Sequence, residues 1–399
     1  MDAHDHRAPL GDLAIDIQRD YPVVTGVVVG DGPAVTTRSG GFRLSESGRE
    51  LHIDDLASAR ESPAPHEDQE VLLVRDVLDS LVIDLEQRGP ARINDIFLEH
   101  GAAGLEVKAI DTGVRGIARR LTRGRWPAAS ESDLRDWRYV VFIHGTPRRP
   151  TGNDTCRRIA RLPPGEIARL SNALPYLHAA ELMGLLPERV GAEVLEVLSA
   201  QRQLQVFGEL DDVYASRLLA VLAPDTVADL FARLEPEEAR KHLRRLPEAR
   251  RRLVSELLQY PEGTVGAVMT NDVVVLPEGA TVSEARRLLR DSLSTPAFVY
   301  YAYVVDAPAS RRLRGMITLR ELLTAAPEAS LRDAMNPYLT ALGPLGPLAP
   351  ACEEVIDNRV QALPVVGDDG RLLGALTADA ALAHIAPASW RTRTRHVFS

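Results

Sequence analysis

The side chains that most often carry chemistry are dispersed in this chain of 399 residues. Its two cysteines, Cys156 and Cys352, are remote from each other and have no partners at metal spacing, which fits a reducing cytosol. The histidines are scattered. His4 and His6 could catch a metal ion adventitiously, but a polar N-terminal tail is the simpler reading. No phosphate-cradling loop, HExxH pair or nucleophile elbow occurs, so no enzymatic activity is expected. One carboxylate pair stands out: Asp225 and Asp229 are four residues apart, and one turn of helix puts both on one face. Asp225 also follows Pro224 directly, where an acid caps a helix start, so a cap plus a surface acid competes with any functional reading.

The element that must position this pair is a repeat. Nine leucines stand twelve residues apart, from Leu162 through Leu174, Leu186, Leu198, Leu210, Leu222, Leu234 and Leu246 to Leu258. Proline follows directly at Pro163, Pro175, Pro187 and Pro247, and one residue later at Pro224 and Pro236, marking helix starts. Small and then aliphatic residues follow at helical spacing, as in Ala168 and Leu170 or Ala228 and Leu230. Each unit predicts one short helix. Helices this short must stack to persist, so residues 155–258 are expected to form a superhelical repeat domain that serves as a surface. Only the unit beginning at Leu222 carries aspartate at both the third and the seventh position after its marker.

The formal net charge of −9 argues against a general nucleic-acid binder. The locally basic run over 240–252 reads as the solvated face of repeat helices rather than a patch for nucleic acid or lipid. No secretion signal precedes the first domain, and nowhere do eighteen apolar residues run together, so no membrane-spanning helix is expected and the chain alone should not conduct an ion.

Ahead of the repeats, residues 1–67 and 68–150 read as two small, bent antiparallel β-barrels separated by an acidic, proline-bearing linker over 61–70. Short β-runs are expected at Val23–Val29, Ala34–Thr37, Gly41–Leu44 and Leu51–Ile53, then at Leu72–Val77, Leu81–Leu85, Ala91–Leu98 and Leu105–Ile110. The stretches Val77-Leu78-Asp79, Ala91 to Leu98 and Ala109-Ile110-Asp111 resemble the PRC-barrel family, whose members are mostly docking or regulatory barrels. Asp79, Asn94, Asp95 and Asp111 could form a polar site there; turn and strand-end roles are the simpler reading.

After the repeats one β-α pattern occurs twice. Tyr301 to Asp306, Leu313 to Thr318 and a helix from Leu319 are matched by Ala362 to Val366, Leu372 to Thr377 and a helix ending near Ile385. These residues resemble paired CBS domains, over 259–326 and 327–387, with Met269-Thr270 and Met335-Asn336-Pro337 standing where each unit begins and 388–399 left as a tail. With the twelve-residue repeat and the Tyr260-Pro261-Glu262 junction, the stretch 155–386 resembles the cytosolic part of the MgtE magnesium transporters. The whole reads as a multidomain α+β protein, similar to bacterial MgtE relatives without a membrane domain.

That resemblance implies two ligands. Family members clamp magnesium ions between acidic surfaces of the helical domain and the CBS pair, and Asp225 and Asp229 match the helical side. On the CBS side Arg359, Ala380 and Ala383 replace acids, the stretch Leu342 to Pro347 replaces a polar helix approach, and only Asp357 and Asp379 remain nearby. A one-sided site of that kind holds a dication weakly. CBS pairs also bind adenine nucleotides such as ATP, a carboxylate three residues after the strand-end threonine holding the ribose. Thr318 and Glu321, with Arg314 and Arg320 for phosphate, match in the first copy; the second keeps Thr377 but has Ala380, so one site is expected rather than two. Glu321 as an ordinary helix-start acid is the competing reading. The resemblance thus implies a non-catalytic cytoplasmic regulator, homodimeric through its CBS pair, that responds to Mg2+ or an adenine nucleotide. It would act on a partner such as a transporter, at the inner face of the membrane through that partner. The alternative is a structural protein–protein adaptor whose ligand sites have decayed.

Overall fold

The twelve-residue period reappears as helix starts. In the computed structural model, described over residues 9–17, 19–29, 34–36, 42–45, 51–53, 60–61, 70–122, 130, 132–143, 158–292 and 301–385, the repeat helices are α2 (Pro164–Ala173), α3 (Tyr176–Gly184), α4 (Glu188–Val197), α5 (Ala200–Gly208), α6 (Asp212–Val221), α7 (Pro224–Arg233), α8 (Pro236–Arg245) and α9 (Glu248–Leu257). Each begins twelve residues after the last. The marker leucine falls just past each helix end: Leu174, Leu198, Leu234 and Leu246 sit at C-terminal caps in extended backbone. From there proline, or a residue in its place, starts the next helix. Leu222 is fully enclosed, whereas Leu258 is 38% exposed.

Two compact units divide the chain: residues 1–198 with 205–211, and residues 199–204 with 212–399. In the first, the strands β1 (Leu10–Asp16), β2 (Val23–Val29), β3 (Ala34–Thr36), β4 (Phe42–Leu44), β5 (Leu51–Ile53), β6 (Arg60–Glu61), β7 (Glu70–Leu72), β8 (Leu81–Asp84), β9 (Gly89–Arg92), β10 (Asp95–Gly101), β11 (Gly104–Asp111), β12 (Leu134–Asp136) and β13 (Val140–Phe142) accompany helix α1 (Val114–Leu121). The main sheet runs β10-β11-β2-β1-β7. Strands from the two stretches read as separate barrels therefore share one sheet, through β1 with β7 and β11 with β2. One hydrophobic cluster, including Ile15, Val27, Phe42, Val82, Ile110 and Trp137, draws on both. Strand β1 had no counterpart in the sequence reading.

Two expected runs are interrupted for local polar reasons. Beyond Leu72 the chain makes a wide helical turn over Leu73–Val77, because the buried Asp12 carboxylate accepts from Val74 N (2.7 Å) and Arg75 N (2.9 Å). The run Ala91–Leu98 breaks between β9 and β10, where the Asn94 side chain donates to the carbonyls of Thr112 (2.9 Å) and Gly113 (3.1 Å). The polar tail with His4 and His6, most of the 61–70 linker, Cys156 and the tail 388–399 lie outside the described residues.

In the second unit α7 packs on α9, and both meet the short helix α10 (Val265–Val268). The first CBS copy contains β14 (Val275–Pro277), α11 (Val282–Ser292), β15 (Tyr301–Val305), β16 (Leu313–Thr318) and α12 (Leu319–Thr324). After α13 (Leu331–Ala334), the second contains α14 (Leu348–Asp357), β17 (Ala362–Val366), β18 (Leu372–Thr377) and α15 (Ala378–Ile385). The copies exchange their entry segments. Thr270, ahead of the first, exchanges backbone hydrogen bonds with Ala375 of β18 (both 2.9 Å), and Asn336, ahead of the second, does so with Met316 of β16 (2.8 and 3.0 Å). Glycine permits each approach: a Cβ at Gly315 would lie 2.7 Å from the Asn336 carbonyl oxygen, and one at Gly374 would overlap that of Thr270. Between the sheets Tyr303 and Val305 pack with Ala362, Leu372 and Ala375.

Candidate functional site

Proline suits the first turn of α7 because its fixed φ is already helical and no N–H partner is needed there. That start puts Asp225 in the first turn. Its carboxylate shares a hydrogen bond with the Thr270 side chain, while Oδ1 is enclosed and has no hydrogen-bond partner. The residue as a whole keeps some exposure; that oxygen does not. Burial, with like charge from Asp272 and Asp229 added, pushes the carboxyl up to about 6 against the opposing pull of its own backbone N–H and Thr270.

Asp229, one turn later, is exposed and is engaged elsewhere: its Oδ2 accepts from Arg233 Nη2 at 2.5 Å. Arg250 of the neighbouring helix α9 acts through its charge on Asp272 and, second, on Asp225, without an ion pair among the described residues. Its Nε and Nη2 are enclosed without hydrogen-bond partners. Burial lowers its pKa, and Asp272 first and Asp225 second act against that. Asp272 is itself raised by burial and held down by Arg250. Beside it, buried Asn271 donates Nδ2 to the Leu253 carbonyl of α9 at 2.9 Å.

This donor set does not fit magnesium, which needs near-octahedral oxygen ligation. Among the described residues no three His, Cys, Asp or Glu side chains come together to hold a metal ion. Asp229 is committed to Arg233, and the charge of a guanidinium already acts on Asp225. Asp357, Arg359, Asp379 and Ala383 are exposed, and Ala380 is half-buried.

At the end of β16, Thr318 caps α12 with a reciprocal box. Glu321 Oε2 accepts from Thr318 N (2.9 Å) and Thr318 Oγ1 (2.9 Å), and Glu321 N donates to Thr318 Oγ1 (3.1 Å). The box uses Oε2 and leaves Oε1. Arg320 is exposed in the first turn of α12; Arg314, also exposed, stands four residues before Thr318 near the start of β16, where its charge acts on Asp306, and neither forms an ion pair among the described residues. In the second copy Ala380 N donates to Thr377 Oγ1 (3.1 Å), but no carboxylate completes a box. The first corner thus presents one carboxylate oxygen outside the box, Glu321 Oε1, and the exposed guanidinium of Arg320.

The polar set in the β region is structural. Arg119 of α1 donates Nε to Asp95 (2.7 Å) and Nη2 to fully buried Asp111 (2.6 Å). Arg120 pairs with Asp79 at 2.8 Å, which holds that carboxyl below its usual range. Each aspartate thus serves to strap α1 to the strands.

Thr270, Asp272 and Arg250 were not read as site residues from the sequence. A signal for Arg250 existed inside the basic run: it lies four and seven residues before Val254 and Leu257, the buried face of α9.

Family models match the MgtE intracellular N domain over residues 162–263 and the CBS domain over 265–328 and 331–387. The magnesium transporter MgtE of Thermus thermophilus is 31% identical over 219 residues, 54% of this chain and 48% of the relative; that of Bacillus subtilis is 24% identical over 221 residues, 55% and 49%. The chain spans about half the length of these relatives. A crystal structure of the cytosolic domain of the Mg2+ channel MgtE in complex with ATP superposes with a TM-score of 0.55 at 29% identity, covering 58% of this chain and 94% of that one. No helix among the described residues is long and apolar enough to cross a membrane. Residues 162–387 are therefore an MgtE intracellular N domain followed by tandem CBS domains, and this part of the chain matches the MgtE cytosolic region.

Proposed function

We propose that the chain is a non-catalytic regulator whose CBS pair takes up an adenine nucleotide at the β16–α12 corner. It acts in the cytoplasm on a partner, a transporter in magnesium or divalent-metal homeostasis. The observation that carries this is the polar set beside the Thr318–Glu321 box: Glu321 Oε1, outside the box, suits a ribose diol, and exposed Arg320 of α12 suits phosphate, with Arg314 further back along β16 as a second cation. The related cytosolic domain crystallised with ATP supports it. Asp225 and Asp229 lack a magnesium ligand set, so the nucleotide is the ligand read by the CBS pair in this proposal.

Homodimerisation through the CBS pair belongs to the same reading. It is supported by exposed Leu288, Leu323, Ile356, Leu382 and Ile385 on α11, α12, α14 and α15. The β region serves as a docking surface in it, as the PRC-barrel resemblance implies. An adaptor without ligands is the second reading, favoured by Ala380 in place of a carboxylate and by the Asp229–Arg233 pair.

Calorimetric titration with ATP, ADP and AMP tests the proposal. Arg314→Ala and Arg320→Ala are each expected to weaken binding by about tenfold, one charge-assisted hydrogen bond's worth. Glu321→Gln keeps the capping box while removing the charge, so it separates ribose binding from helix capping. No heat and no melting shift with any of the three nucleotides would sink the nucleotide reading and leave the adaptor.

A further inference from the structure

Three elements of the second unit converge where the helical repeats meet the CBS pair. Helix α7 brings Asp225, helix α9 brings Arg250, and the segment after α10 brings Thr270, Asn271 and Asp272. The segment is fastened on both sides: Asn271 donates to the Leu253 carbonyl of α9, and Thr270 is tied through its backbone to Ala375 of β18. Two carboxylates and one guanidinium therefore share a partly enclosed space. Their unmatched atoms are complementary, since Arg250 leaves Nε and Nη2, the paired edge that suits a carboxylate, and Asp225 leaves Oδ1.

We propose that Arg250 is the built-in cation of this joint: its guanidinium balances Asp272 and Asp225 and holds α7 and α9 to the CBS entry segment without a divalent ion. The inference is independent of the nucleotide reading, since none of Asp225, Arg250, Thr270 and Asp272 belongs to the Thr318–Glu321 box. A guanidinium is suited to this place because it is more weakly hydrated than a compact ion and remains charged under all ordinary conditions. A dication entering here would have to shed water beside a fixed positive charge, with Asp229 already paired to Arg233. The joint is thus closed by the chain itself. Because Thr270 is fastened to β18, the guanidinium anchors both CBS copies to the helices rather than the first alone.

Thermal melting of the full chain, titrated with MgCl2 and with NaCl at matched ionic strength, tests this. The wild-type midpoint is expected to be the same in both salts. Arg250→Gln is expected to melt a few degrees lower, because it leaves two partly buried carboxylates without the nearby positive charge. The double variant Arg250→Gln with Asp272→Asn should recover part of that loss, because the carboxylate left without its partner is gone. Arg250→Lys, which keeps the charge, should melt above Arg250→Gln. If Arg250→Gln does not fold while Arg250→Lys does, the charge is again what the joint requires. The proposal is overturned if magnesium raises the wild-type midpoint beyond the NaCl control. It is equally overturned if the double variant melts no higher than Arg250→Gln, or if the Lys variant melts as low as Gln or, like it, does not fold.

Discussion

The charge state of Asp225 is set by its surroundings. Its carboxyl is pushed up to about 6 in the folded chain, above the ordinary carboxylate value of about 3.9. The folded form therefore holds the proton more tightly than the unfolded chain. The resulting stabilisation is complete below the ordinary value and is lost as the pH rises through about 6. Melting midpoints at pH 5.5 and 7.5 should accordingly differ less in Asp225→Asn than in the wild type. An unchanged difference would mean that Asp225 does not titrate in this window. The neighbouring Asp272, also raised by burial, contributes with the same sign, and His242, lowered by burial, with the opposite one. The sequence marked Asp225 through its spacing from Asp229, yet spacing alone says nothing about neighbours. It is Arg233 that takes Asp229, and Thr270 and the charge of Arg250 that act on Asp225.

The elements were more legible. A leucine every twelve residues with proline behind it specifies helix starts by local sterics, and eight helices begin at that interval from Pro164 to Glu248. The burial of the rungs was not legible, because it depends on what each leucine meets. Leu222 is fully enclosed and Leu258 is 38% exposed. Leu222→Ala should therefore destabilise the protein by about 2–5 kcal/mol, and Leu258→Ala by clearly less, as read from urea unfolding midpoints. A second element-scale feature is the exchange of entry segments between the CBS copies. Gly374→Ala puts a Cβ onto the Thr270 carbonyl oxygen and should cost about 1–3 kcal/mol. Gly343→Ala meets nothing within 4 Å and should stay within about 0.5 kcal/mol of wild type. Equal costs at the two glycines would argue against the exchanged pairing. The interrupted β-runs at Leu72 and Asn94 show the limit of period-two patterns: one buried carboxylate or amide redirects the backbone by offering its N–H and C=O groups another partner.

For the whole molecule, the proposed dimer makes its own prediction. Leu323→Glu combined with Leu382→Glu places charge on exposed apolar positions of α12 and α15 and should convert a dimer to a monomer in sedimentation velocity. A dimer that survives both changes would move the interface off these helices. The repeat period and the twice-occurring β-α pattern were readable from residue types and spacing, because each is a local pattern within a few turns or strands, whereas the Thr318–Glu321 pair was named by the CBS resemblance and is a capping box in the structure. Other features needed the tertiary structure: the sheet joining β1 with β7 and β2 with β11, the crosswise CBS pairing, and the meeting of Asp225 with Arg250 and Asp272. These bring together residues from distant stretches, and a carboxylate's partners, burial and charge follow from packing between such stretches. A periodic sequence specifies that a helix forms and which face is apolar; it does not specify which foreign side chain will stand against that face.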